Sequence, residues 1–226
     1  MSRLMIVVAA VVGATMGNVL AQAPPKPPVT DKEGRIASPP ANPLGVYATI
    51  DMGPIAEVLR RLVTQGQRTT AAREVVRSAP SQMPPALYAA ASVLSGDRPE
   101  EAIFWYHVGR IRAVYDGLRC RDVTARSFVT LMGQNLLSLE LRRSQFYQRD
   151  RLVGIARKAI AWDAENPRNY DSRWICLYGR VAHTSEGTDP AEVQRPESEW
   201  PELLARVHAT HLRSVEEFAA TPVPGK

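Results

Sequence analysis

The four histidines of this sequence are the residues best suited to acid–base chemistry or to metal binding. His208 and His211 stand three positions apart, so a helix would place both side chains on nearly the same face. The zinc-binding pattern on a helix is H-E-x-x-H, in which the histidines are four positions apart and a glutamate follows the first. This segment has neither feature, and His107 and His183 are remote in the sequence. We therefore predict no metal site and no cofactor.

Sequence motifs for nucleophilic catalysis and for phosphate binding are also missing. The chain contains neither the G-x-S-x-G pattern of a nucleophile elbow nor a glycine-rich phosphate loop. Its acidic pairs are Glu100-Glu101 and Glu216-Glu217. Adjacent side chains diverge on a helix, so these carboxylates are expected to be surface charges. We assign no catalytic residue, and an enzyme is the less favoured interpretation.

The N-terminal sequence has the pattern of a secretory signal peptide. Arg3 precedes an apolar run at 4–12, and small residues follow it. We expect cleavage after Ala21, with Ala23 as the alternative site, so that residues 1–21 form the signal. The apolar run is short for a membrane span, which needs roughly 20 apolar residues. We therefore predict a periplasmic or secreted protein of a Gram-negative bacterium without stable membrane insertion, and an uncleaved anchor is the alternative.

The two cysteines, Cys120 and Cys176, both follow the predicted signal peptide. Export places them in an oxidising compartment, where thiols tend to pair. An intramolecular disulfide would stabilise the fold by about 4 kcal/mol on the chain-entropy account. Two free thiols or intermolecular bridges are the alternatives. We predict the intramolecular bond, which would tie the end of one helix to a short helix near Trp174.

Composition divides the remaining chain into three parts. Residues 22–45 are rich in proline and poor in large apolar side chains, as in a flexible linker. Residues 46–220 show apolar side chains at helical spacing and no period-two strand pattern. Residues 221–226 are expected to be a disordered tail. The predicted fold is all-α, a single irregular bundle of about seven helices.

The clearest helical pair occupies residues 84–120. Its first helix is predicted at 85–95 and its second at 99–118, where apolar residues recur at steps of three and four from Phe104 to Leu118. Other helices are predicted at about 54–66, 70–78, 122–141 (with a break near 133–135), 148–163 and 198–218, with a short one near residue 174.

This hairpin resembles one unit of a tetratricopeptide-type repeat. Its first helix is rich in small residues, Gly96, Asp97 and Pro99 form the turn, and residues 102–106 give the second helix an alanine-aromatic start. The resemblance covers 85–118 and implies a helical scaffold that binds peptides or proteins and does no chemistry. Because no second copy recurs at a period of about 34 residues, a single hairpin inside an irregular bundle is the alternative. The whole chain also resembles exported helical bacterial proteins that are uncharacterised.

Three consecutive aromatic residues stand out in the second helix of the hairpin. Phe104, Trp105 and Tyr106 point about 100° apart, so they cannot all face one core. Either one of them contacts a partner, for which Trp and Tyr are favoured anchors, or the helix is central and surrounded on all sides. The candidate binding residues are Trp105, Tyr106, His107, Arg110, Tyr170 and Trp174.

The formal charge of +5 indicates an anionic partner surface as one possibility among several. We expect no nucleic acid, because the protein is exported and its basic residues are spread over several helices. The preferred function is an exported protein-binding module, most concretely a periplasmic immunity or inhibitor protein. The alternatives are a structural accessory of an envelope complex and an envelope hydrolase. The hydrolase site would lie around His107, Tyr106 and the turn that contains Asp171 and Trp174.

Overall fold

A computed structural model describes residues 38–53, 55–184 and 193–221. The predicted signal peptide (1–21), most of the predicted linker (22–45) and all but the first residue of the predicted tail (221–226) lie outside the described residues. Within those ranges the protein is a single all-α domain, as predicted, and its β structure is limited to an isolated bridge between Cys120 and Gln194. No helix there is long and apolar enough to cross a membrane.

The described ranges contain nine α-helices and several short 3-10 turns. The helices are α1 (Ile55–Val63), α2 (Arg68–Arg77), α3 (Pro84–Leu94), α4 (Pro99–Arg119), α5 (Ser127–Asn135), α6 (Leu139–Tyr147), α7 (Arg149–Glu165), α8 (Val181–Thr184) and α9 (Trp200–Ala220). The 3-10 turns are Gly45–Thr49, Ala79–Ser81, Val123–Arg126, Ser172–Tyr178 and Glu197–Glu199. The predicted hairpin is α3 and α4, each within one residue of its expected bounds.

The region predicted at 122–141 as a helix with a break near 133–135 forms three separate elements. It contains the turn Val123–Arg126, then α5, and α6 begins only at Leu139. The side chain of Ser138 accepts a hydrogen bond from the backbone N–H of Leu141 and so caps α6. Ser92 of α3 donates to the carbonyl of Leu136 at 2.6 Å and accepts from the N–H of Ser138 at 3.0 Å. The break is therefore held by a helix more than forty residues away.

Helix α4 lies at the centre of the bundle and packs against α3, α5, α6, α7 and α9. Phe104, Trp105 and Tyr106 are all partly buried against the main hydrophobic core, so each of the three takes part in the packing around α4. The contact with α3 is close at Gly109, where a Cβ would lie 3.1 Å from the Cβ of Leu87. An alanine-rich α3 and a glycine on α4 thus allow the two helices to approach closely.

A disulfide between Cys120 and Cys176 joins the end of α4 to the turn Ser172–Tyr178, with the two Cα atoms 5.7 Å apart. This confirms the predicted bond. Both cysteines are buried in a second hydrophobic cluster, which surrounds Trp174 and lies apart from the main core. The disulfide therefore fastens this second cluster to the central helix.

Candidate functional site

Three of the candidate binding residues, Tyr106, His107 and Arg110, line one cavity between α4 and α9. Its volume is about 280 Å³. Residues three and four apart are neighbours on a helix surface, so one face of α4 presents these positions together. These three side chains therefore reach a common cavity.

Trp105 packs toward α7 instead. Its ring makes edge-on contacts with the rings of Phe104 and Trp162, at centroid distances of 4.9 and 5.2 Å. Trp162 in turn lies under the guanidinium of Arg112, 4.9 Å from its centroid. Trp105 is thus part of the packing between α4 and α7 and does not line the cavity.

Tyr170 and Trp174 belong to the interior on another side of α4. The indole N–H of Trp174 donates to Oδ2 of Asp116 at 2.8 Å, and the Tyr170 hydroxyl donates to the same oxygen at 3.0 Å. Arg119 donates to the other oxygen at 2.6 Å. Trp174 is completely buried and does not line the cavity that Tyr106, His107 and Arg110 share. Both residues support the core through a carboxylate that is buried and fully hydrogen-bonded.

The groove between α4 and α9 contains a second cavity of about 200 Å³ beside the first. Arg110, His211 and Ser214 line both cavities. The second cavity is mostly apolar, and its apolar lining residues are Ile111, Val114, Leu118 and Val207. The groove therefore has a polar part and an apolar part, with Arg110 between them. We call it the α4–α9 groove.

Arg110 is a half-buried cation without an acidic partner in the part of the chain that the structure describes. Burial lowers its pKa, but the phenols of Tyr106 and Tyr88 lie close to the guanidinium and raise the pKa by more. The side chain therefore stays charged. The hydroxyl of Tyr88 is buried without a hydrogen bond of good geometry. The two phenols are thus the near polar neighbours of the guanidinium, and neither carries a charge that would neutralise it.

Further arginines extend the positive potential along the groove. Arg206 is exposed and lines the apolar cavity. Burial, together with the nearby charges of Arg195 and Arg206, lowers the pKa of Arg126. Arg195 pairs with Glu199 at 3.1 Å, whereas Arg126 and Arg206 form no ion pair with a described acidic side chain. An anion approaching this end of the groove would meet uncompensated positive charge.

Two buried histidines form the floor of the polar cavity. Nε2 of His211 lies 3.0 Å from Nδ1 of His107, so one of these nitrogens donates to the other. Burial lowers the pKa of His107 to about 3, with contributions from His211 and Arg110, and burial lowers that of His211 to about 4. Both rings are therefore neutral at pH 7. Nε2 of His107 is buried and has no hydrogen-bond partner among the described residues.

His208 and His211, the pair that the sequence brought together, have separate partners. Nε2 of His208 lies 2.9 Å from Oδ2 of Asp163, whereas His211 pairs with His107 on α4. The other oxygen of Asp163 accepts from Nε of Arg112 at 2.9 Å. Within the described ranges, no group of three or more His, Cys, Asp or Glu side chains is arranged to hold a metal ion.

Sequence reasoning missed the α9 half of the groove. His211, Ser214, Thr210 and Arg206 line it, but only His211 was singled out, as a partner of His208. One sequence pattern pointed to this groove. His107 and Arg110 are three residues apart, as are His211 and Ser214, so each helix carries two polar side chains on one face. This pattern identifies a site only when the two helices are known to be neighbours.

Comparison with models of protein families, with curated proteins and with solved structures found no match to this chain.

Proposed function

We propose that this protein is an exported, non-enzymatic binding module, and that an anionic group of a partner protein enters the α4–α9 groove. The observation that carries the proposal is Arg110, a charged and half-buried guanidinium that no described carboxylate neutralises. Beside it lies the buried Nε2 of His107, which has no hydrogen-bond partner among the described residues. An anion would supply acceptors to the guanidinium, and also to Nε2 of His107 in the tautomer in which Nδ1 accepts from His211. Charge-assisted hydrogen bonds to arginine are among the strong ones.

A protein partner fits the surroundings of this site better than a free small molecule. The two cavities measure about 200 and 280 Å³, each below the roughly 300–1,000 Å³ typical of small-molecule pockets. They form an open groove with arginine and tyrosine at its centre, and these residue types dominate protein-binding hot spots. The predicted export argues against nucleic acid.

The most concrete form of this function is an inhibitor or immunity protein that neutralises a toxin acting in the periplasm. Its support is the predicted export together with a small helical fold that carries a disulfide and an exposed basic groove. Deletion of the gene should then sensitise the native host to a toxin encoded nearby, and the intact gene, but not an Arg110→Gln copy, should restore resistance. Unchanged sensitivity to every neighbouring toxin would contradict the inhibitor form and leave a structural accessory as the alternative.

The binding function can be tested with peptides directly. Pools of acidic and basic peptides would be added to the isotope-labelled protein while the Nε–Hε signal of Arg110 is followed by NMR. We expect acidic pools to shift that signal and basic pools to leave it unchanged. Arg110→Gln should weaken binding about 10- to 100-fold, because a hydrogen bond to a charged group contributes about 1.5–3 kcal/mol.

The matched control is Arg73→Gln, which removes the same charge at an exposed position of α2. It should change affinity by less than about threefold, because a distant surface charge is screened by salt. If no peptide pool binds, or if both variants weaken binding equally, the α4–α9 groove is not the site.

One observation favours the hydrolase alternative, namely a histidine beside an acid. His208 and Asp163 are 2.9 Å apart, but Asp163 also binds Arg112 and Arg168. No described hydroxyl or thiol forms a hydrogen bond with His208 as a nucleophile would. Ester and amide hydrolysis that disappears in His208→Asn, without loss of fold, would restore this interpretation.

A further inference from the structure

A cavity of the size of a small-molecule site lies apart from the α4–α9 groove, between α1, α3 and α5. Its volume is about 470 Å³, within the range of small-molecule sites. The deep end is formed by Trp174, Met83 and Met132, all of them buried. Gly53 and Asn135 are exposed and mark the mouth.

The chemistry of the lining selects an apolar ligand. None of the described residues that line the cavity is an Asp, Glu, Lys or Arg. Three methionines do (Met52, Met83 and Met132), and methionine adapts its flexible side chain to ligands of irregular shape. Phe128 and Tyr178 are stacked in the wall, with ring centroids 3.5 Å apart. A charged group inside would therefore lose its hydration without gaining a partner.

The size of the cavity favours a hydrocarbon chain over a side chain of a partner protein. A benzene-sized group fills an apolar cavity of roughly 150 Å³, about a third of the volume present here. The wall from Phe128 to Asn135 follows α5 for eight residues, and the seven steps between them rise about 10 Å along the helix axis. An apolar cavity becomes more costly to leave unfilled as its volume grows.

We infer that this cavity binds the hydrocarbon chain of an amphiphile, with the chain end near Trp174 and the polar head at the mouth beside Asn135. The chain can belong to a free fatty acid or to a membrane lipid, since both present the same alkyl group. The lining interacts with the chain and leaves the head in water, so the head's charge contributes little. The ligand class is therefore defined by chain length and not by charge.

Fluorine NMR of the protein labelled with 5-fluorotryptophan tests this assignment. The chain has four tryptophans, and only Trp174 lines the cavity. Addition of decanoate should shift the Trp174 signal and leave those of Trp105, Trp162 and Trp200 in place. Decanol should act as decanoate does, and butyrate should have no effect at the same concentration. Phospholipid vesicles, added separately, show whether a membrane lipid can donate its chain.

The second measurement is the decanoate affinity of a variant in which the mouth of the cavity is closed. Ala56 is an exposed residue of α1 that lines the cavity, so Ala56→Trp should close the mouth without disturbing the core. We expect it to reduce decanoate affinity about tenfold or more, the effect of excluding two buried CH₂ groups. The matched control is Ala164→Trp, at an exposed position of α7, which should bind decanoate as the unmodified protein does.

Three results would overturn the inference. The first is a Trp174 signal that does not respond to decanoate or decanol. The second is a common shift of all four tryptophan signals, which would indicate nonspecific association. The third is equal affinity of the Ala56→Trp and Ala164→Trp variants, which would place the alkyl chain elsewhere.

Discussion

Two buried histidines beside an arginine have pKa values far below that of a free imidazole. His107 and His211 share one hydrogen bond, and the charge of Arg110 acts on both rings. His208 adds a further unfavourable interaction for a charged His211. Neutral rings are the result, and a bound anion would offset part of the positive potential that keeps them neutral.

The stability of the fold should therefore fall as the pH falls from about 6.5 toward 4. The folded-state pKa of His107 (about 3) and that of His211 (about 4) lie below the unfolded value of 6.5, so the unfolded chain binds more protons in this range. Each histidine contributes stability that is complete above pH 6.5 and is lost at about 1.4 kcal/mol per pH unit below it. Urea denaturation at several pH values measures the slope. Replacement of both residues by glutamine should make that slope smaller, and an unchanged slope would contradict the assignment.

The carboxylate of Asp163 illustrates how burial changes the value of an ion pair. It binds the fully buried guanidinium of Arg112, and Arg168 and His208 complete its environment. Asp163→Ala would leave Arg112 buried without compensation and should lower the free energy of unfolding by about 3–5 kcal/mol. The matched control is Glu216→Ala, which breaks the exposed pair with Arg157 and should cost about 0–1 kcal/mol. Similar losses in the two variants, measured by denaturant unfolding, would refute this difference.

At the scale of the helices, the close approach of α3 and α4 depends on one glycine. Gly109→Ala would bring its Cβ within 3.0 Å of the Tyr88 ring and 3.1 Å of Leu87, both buried. We expect a loss of about 1–3 kcal/mol from overpacking. Gly154→Ala in α7 is the control, because a Cβ there meets nothing within 4 Å and should stabilise the helix by about 0.5–1 kcal/mol. Thermal unfolding should therefore shift in opposite directions, and two shifts of the same sign would show that α3 and α4 are not closely packed.

For the molecule as a whole, the disulfide is the covalent link between the end of the central helix α4 and the turn Ser172–Tyr178, inside the second hydrophobic cluster. Cys120 ends α4 and Cys176 lies beside Trp174 in the second cluster. Replacement of both cysteines by alanine should lower the free energy of unfolding by about 4 kcal/mol on the chain-entropy account. Hydrogen exchange should increase first in the turn Ser172–Tyr178, which the bond holds to the helix. Equal stability of the oxidised and the alanine protein would show that the link contributes nothing.

Local patterns were sufficient for the all-α fold class and for the central hairpin. The apolar spacing from Phe104 to Leu118, with glycine and proline at the turn before it, placed the central hairpin within one residue, because helix formation depends on neighbours three and four positions away. The disulfide followed from the predicted oxidising compartment and the presence of two cysteines. The hairpin follows from residues close together in the sequence, and the disulfide follows from composition.

The candidate site depends instead on contacts between distant parts of the chain. His107 and His211 are 104 positions apart, and the hydrogen bond between them exists only because α9 packs on α4. That no described carboxylate pairs with Arg110, and that Trp174 is buried, likewise depends on all the helices around them. A sequence determines which residues share a helix face, since that geometry is local. Which faces meet depends on the packing of the whole core, and that packing forms the groove.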